Sequence, residues 1–151
     1  MTGSYDQQLG QALIAAGDVS PEDMAMAVRE SHSSGEHLSK TLLRLAVVEE
    51  ERLQMAVARV LHVSFVRPSD MPIPHEVIHL APAQLATRYK IVPVEQSAGV
   101  LKVAMLDPLD MHLLDDLRLA LRMEIEPVVS TSQEIDEAIK KYYGIGAETV
   151  E

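Results

Sequence analysis

His75-Glu76-Val77-Ile78-His79 is the one stretch whose residue types and spacing match a catalytic pattern, the H-E-x-x-H of zinc proteases. On a helix the two histidines lie at i and i+4 on one face, and the glutamate can activate a metal-bound water. The surroundings argue against that chemistry. Pro74 and Pro82 confine the helix to under two turns. Pro82 and Leu85 stand where a longer zinc motif places glycine and a third histidine, and nothing marks Glu95 as a third ligand. His75 and His79 therefore read as surface histidines on a short linker helix, and no metal ligand is assigned. His32, His37, His62 and His112 show no ligand spacing, and Asp107, Asp110, Asp115 and Asp116 read as caps and a solvated helix face rather than a cation site. There is no G-x-S-x-G and no G-x-x-x-x-G-K-[ST]; Gly144 and Gly146 lack the lysine that a phosphate-cradling loop requires. No catalytic residue is assigned, and no ATP hydrolysis is expected of these residues.

Composition narrows the classes further. The absence of cysteine excludes disulfides and thiolate chemistry. A formal charge of −10 disfavours phosphate backbones and anionic lipid, and one Phe with four Tyr is too few aromatics for a base-stacking platform. Neither nucleic-acid binding nor membrane insertion is expected. The polar start has no signal-peptide pattern, and apolar runs break well before the ~20 residues of a bilayer span, so a cytoplasmic location is predicted.

The first sixty residues carry helical periodicity. Leu9, Leu13 and Ala16 recur on one face, Gly17 is a left-handed stop, and Ser20-Pro21 opens the next helix. The pattern returns 29 residues later: Leu9, Leu13, Gly17, Met24 and Ala27 correspond to Leu38, Leu42, Ala46, Leu53 and Ala56. Two helix-turn-helix repeats are predicted over residues 1–67. Pro68, Pro72, Pro74 and Pro82 mark a Pro-rich linker with short helices over 68–82. Residues 83–144 then change period. Strands at 91–94 and 100–104 flank a Ser97-Ala98-Gly99 turn, Asp107-Pro108 caps a Leu-rich helix, and a third strand covers 125–129. A last helix opens at Ser130 or Thr131 and ends at Gly144. The predicted class is α+β, with a helical subdomain, a β-β-α-β-α subdomain around a three-stranded sheet, and an acidic tail over 145–151.

Leu9-Gly10-x-x-Leu13 with Gly17 and the helix from Pro21 to Val28 resembles the first unit of a known domain. Leu80-Ala81-Pro82, Arg88-Tyr89, Val92-Pro93-Val94, Leu101-x-Val103-Ala104-Met105-x-Asp107-Pro108-Leu109-Asp110 and Ala138-Ile139-x-x-Tyr142-Tyr143-Gly144 follow it in order and spacing. This is the N-terminal domain of the ATPases that drive type II secretion and type IV pilus assembly. The resemblance runs from about Gln8 to Gly144. It implies a non-catalytic domain that precedes a RecA-like motor and docks it onto a cytoplasmic domain of an inner-membrane platform protein. A cytoplasmic place, peripheral to that membrane through the partner, follows, as does a chain that is either a fragment of a motor or a motor-less relative.

One branch of the family binds cyclic di-GMP across its repeats, each beginning Arg-Leu-Gly and ending in Gln. By that resemblance Gln8, Leu9, Gly10, Leu13, His37, Leu38 and Leu42 are the candidate dinucleotide-binding residues, and Leu9→Asp or Leu38→Asp would abolish affinity. The polar positions depart from the pattern. Gln8 and His37 replace the arginines, Ser31 and Val60 the glutamines, and Ser39 and Ala46 the second unit's glycines. Arginine suits the task because its plane stacks on guanine while its charge meets phosphate, so the apolar frame survives better than the ligand groups. Docking is therefore the leading expectation, without a resident cofactor. Met24, Met26, Leu43, Val47 and Val48 are the candidate docking residues, because they exceed what one small helical core needs.

Overall fold

A computed structural model describes residues 2–149, with side-chain environments from Tyr5 to Gly144. The chain forms two compact units, Met1–His62 and Val63–Glu151. Among the described residues, eight α-helices and a three-stranded mixed sheet make the α+β architecture.

The first unit consists of α1 (Thr2–Ala15), α2 (Pro21–Ser34), α3 (Leu38–Arg44) and α4 (Glu50–Leu61). Its repeat is visible bond by bond. After α1, the amides of Gly17 and Asp18 donate to the carbonyls of Ile14 and Leu13, both at 3.0 Å. After α3, the amides of Ala46 and Val47 donate to Leu43 and Leu42, at 3.0 and 3.3 Å. The same 29-residue step relates every member of the two sets. Ser20 caps α2 by accepting from the Asp23 amide, and Gly35 closes it in the left-handed conformation. Leu9, Leu13, Leu38, Leu42, Leu53 and Ala56 lose essentially all exposure and form this unit's core.

Gly17 and Ala46 occupy the same turn position at φ 78° and 59°. The left-handed region crowds a Cβ against the following carbonyl, a cost glycine escapes. A Cβ at Gly17 meets nothing within 4 Å, so the difference is one of backbone alone. Ala46→Gly should raise stability by about 0.5–1 kcal/mol and Gly17→Ala should lower it by about as much. Urea unfolding followed by helical circular dichroism reads both. A destabilised Ala46→Gly would show that the turn is not strained.

The second unit holds a 3-10 turn (Pro68–Asp70), α5 (His75–Ile78), α6 (Ala83–Tyr89), β1 (Val92–Ser97), β2 (Val100–Met105), α7 (Met111–Leu121), β3 (Glu124–Val129) and α8 (Ser132–Thr149). The strand order is β1-β2-β3; β1 and β2 are antiparallel and β2 and β3 parallel, with α7 as the crossover. Ala98 and Gly99, both at positive φ, make the tight β1–β2 turn. Leu101, Val103 and Met105 pair with Ile125, Pro127 and Val129 on one apolar face, while Lys102 pairs with Glu95 and Glu126 on a polar one. Asp110, not Asp107, is the N-cap of α7; Asp107 instead accepts from the Leu109 amide and braces the turn before it. Thr131 caps α8 through the Glu134 amide.

Residues 68–82, expected as a Pro-rich linker with short helices, do carry short helices and also pack, with Ile73, Val77, Ile78 and Ala81 buried in the second core. The division falls between His62 and Val63, because Ser64 and Val66 already bond to Val129 along the sheet edge. Ser69 bonds Glu134 through its amide and hydroxyl, the Lys141 ammonium reaches the Ser69 carbonyl, and the Tyr142 hydroxyl donates to the Met71 carbonyl. Prolines rigidify this segment, but its apolar residues decide that it packs. Gly144 breaks α8 at φ 79° and ψ 175°, yet helical backbone resumes to Thr149, where a tail was expected. Val150 and Glu151 of that tail lie outside the described residues.

Candidate functional site

The helical unit offers two concave surfaces, the second of which derives from the repeat. The first is a cleft of about 220 Å³ lined by Asp6, Gln7, Val28, Ser31, His32 and Leu38. It brings together α1, the C-terminal half of α2 and the start of α3. Gln8 and His37 neighbour its lining residues in sequence and are both exposed, Gln8 on α1 and His37 at the N-cap position of α3. Leu9, Leu13 and Leu42 are wholly buried in the core of this unit; Leu38, almost as buried, lines the cleft. Gly10 is buried beneath the Met24 side chain, whose sulfur would sit 3.4 Å from an added Cβ.

The cleft's electrostatics are poor for a phosphodiester. None of the residues lining it is Lys or Arg, and Asp6 is a carboxylate. Its volume falls below the roughly 300–1,000 Å³ of ordinary small-ligand sites. The Ser31 hydroxyl donates to the Glu36 carbonyl at 2.6 Å and is already engaged. Nearby, Arg44 is held by Glu36 at 3.0 Å and Glu30 at 3.2 Å. The Arg44 guanidinium, with the Thr41 hydroxyl, holds the Glu36 carboxyl below its ordinary range. The resulting Glu30–Arg44–Glu36–Thr41 network ties α2 to α3 and engages the Arg44 guanidinium.

The second surface is an open groove of about 760 Å³ where the turns of the two repeats meet. Ala16, Gly17 and Asp18 contribute from the first turn, and Leu43, Ala46, Val47 and Val48 from the second, with Glu49 and Arg52 completing it. Leu43 is 37% exposed, and Val47 and Val48 are half-buried. These three candidate docking residues are thus brought together. Met26, 40% exposed, and Met24, buried at 5% exposure, do not line the groove. Sequence reasoning missed Asp18, Glu49 and Arg52. The 29-residue step, which pairs Gly17 with Ala46, was the signal that could have placed the two turns side by side.

No helix among the described residues is long and apolar enough to cross a membrane, and no group of three or more His, Asp or Glu is arranged to hold a metal ion.

Comparison with known proteins agrees with this architecture. Residues 61–149 match the profile of the MshEN domain. The type IV pilus assembly ATPase PilB of Myxococcus xanthus is 29% identical over 136 residues, which are 90% of this chain and 24% of that protein. PilB of Thermus thermophilus is 33% identical over 140 residues, 91% of this chain and 16% of that protein. The chain therefore spans a quarter or less of these relatives. The structure of MshE with cdg superposes with a TM-score of 0.74 at 25% identity, covering 89% of this chain and 98% of that one. The N-terminal domain of XpsE gives 0.71 at 25% identity, covering 93% and 96%. The chain belongs to the MshEN domain family and is homologous to the N-terminal domains of the secretion and pilus ATPases PilB, MshE and XpsE.

Proposed function

We propose that this domain is a non-catalytic docking module of a type II secretion or type IV pilus ATPase, and that it binds a cytoplasmic domain of an inner-membrane platform protein. The observation that carries this reading is the groove between the repeat turns, where Leu43, Val47 and Val48 offer apolar surface beside Asp18, Glu49 and Arg52. Apolar side chains flanked by charged ones are a usual composition of protein contacts. ATP turnover belongs, in this reading, to the remainder of a longer parent protein, and the domain sits in the cytoplasm against the membrane through its partner.

The test is a titration against the cytoplasmic platform domains encoded in the same genome. Micromolar binding is expected, with Leu43→Glu weakening it at least tenfold while the melting temperature holds. Failure of every such domain to bind at micromolar concentration would sink the proposal.

The likeness to MshE with cdg favours a second reading, a cyclic di-GMP sensor with a degenerate site. The ligand would meet the exposed Gln8 and His37 beside the smaller cleft. Calorimetry decides it. A dissociation constant below about 10 μM, worth roughly 7 kcal/mol, would put the sensor ahead of the docking module.

A further inference from the structure

We propose that His75 and His79 form a two-imidazole chelate for a divalent transition metal, selecting Cu²⁺ and then Ni²⁺ over Zn²⁺. The two Nε2 atoms lie 2.6 Å apart, with ring centroids 4.1 Å apart and planes at 85°. The sequence pattern read these as two surface histidines on one face of a short linker helix; the geometry brings their rings into contact. At 2.6 Å one Nε2–H donates to the other Nε2, so a neutral pair shares a single proton in the space between them. When the donor ring carries that proton on its own Nδ1 instead, both Nε2 lone pairs are free to bind one ion between them. Metal then replaces the shared proton with no net proton released.

The turn that carries the rings is held in place from behind. Val77 and Ile78 are 6% and 2% exposed, Pro74 precedes the helix, and the His79 amide donates to the His75 carbonyl at 3.0 Å. The Tyr143 hydroxyl anchors the Ile78 and Ala81 carbonyls at 3.1 and 2.8 Å. Both histidines are exposed, so water fills the remaining coordination positions. Glu76, one residue on from His75, projects from a different face of the turn and is not a ligand.

The bite distance carries the selectivity. With metal–nitrogen bonds of about 2.0–2.1 Å, a right-angle chelate separates the nitrogens by about 2.9 Å and a tetrahedral one by about 3.3–3.4 Å. The observed separation is a few tenths of an ångström from the first and more than twice as far from the second. Right-angle sites are those of Cu²⁺ and Ni²⁺, and the intrinsic affinity order also places Cu²⁺ above Zn²⁺. This site would not run zinc-protease chemistry.

The full chain is titrated with the chlorides of Cu²⁺, Ni²⁺ and Zn²⁺ by calorimetry, and the Cu²⁺ complex is read by electron paramagnetic resonance. One equivalent of Cu²⁺ is expected, with hyperfine structure from two equivalent nitrogens and affinity in the order Cu²⁺, Ni²⁺, Zn²⁺. His75→Ala and His79→Gln should each weaken Cu²⁺ binding at least thirtyfold and leave the circular dichroism spectrum unchanged. His32→Ala and His112→Ala should bind as the parent does. Equal Cu²⁺ affinity in parent and His75→Ala, or tighter binding of Zn²⁺ than of Cu²⁺, would overturn the proposal.

Discussion

Leu9→Asp is expected to abolish the folded helical unit. Leu9 has no exposed surface and belongs to the same buried set as Leu13, Leu38, Leu42, Leu53 and Ala56. Truncating a buried leucine costs about 2–5 kcal/mol in lost burial and cavity. A dry carboxylate adds several kcal/mol more, because it must either stay charged without a partner or take up a proton. A unit of this size holds a total of only about 3–9 kcal/mol. Limited proteolysis with circular dichroism reads the outcome: loss of helical signal and rapid cleavage before His62 are expected. A Leu9→Asp chain that melts like the parent would refute the core assignment. The result also bears on the search for ligands. Lost cyclic di-GMP binding in Leu9→Asp or Leu38→Asp would report unfolding, whereas Gln8→Ala and His37→Ala change exposed side chains and test contact directly.

Tyr143→Phe should cost about 1–3 kcal/mol at neutral pH, by leaving the Ile78 and Ala81 carbonyls without their shared donor. Its signature is the alkaline limb of the stability curve. Burial raises the Tyr143 phenol well above its ordinary value of 10.0, because the phenolate would be poorly solvated. In the unfolded chain the same phenol ionises near 10. Above that pH the unfolded state releases a proton that the folded state keeps. The associated stability is therefore complete below about pH 10 and is lost as pH rises toward the folded value. Urea midpoints between pH 8 and 11 should fall more steeply for the parent than for Tyr143→Phe. Parallel curves would mean that the phenol is not held as the structure indicates.

Much of the molecule was legible because its signals are local. The 29-residue step, the Ser20-Pro21 cap, the left-handed stop at Gly17, and the change to strand period after Ile91 all depend on a few neighbouring residues. A helix turn or a hairpin is governed by those same residues, so pattern suffices. The repeat even carried over to individual hydrogen bonds at Gly17 and Ala46. The motif order in residues 80–144 supported the family assignment for the same reason: caps, turns and alternating apolar residues leave fixed spacings.

What only the tertiary structure decided was which apolar residues stay outside and which distant groups meet. Met24 and Leu43 look alike in a periodic pattern, but Met24 lies over Gly10 and is buried, while Leu43 faces a groove. Four prolines suggested a linker, yet Ile73, Val77, Ile78 and Ala81 found a core that bonds to residues some sixty to seventy positions away through Glu134, Tyr142 and Tyr143. His75 and His79 were placed on one helical face by spacing, but their Nε2 separation depends on side-chain rotamers above a packed turn. Sequence alone determined two helical repeats, an α+β unit and a family. Burial and long-range pairing depend on the whole chain's packing, and that packing decided which apolar and polar side chains remained at the surface.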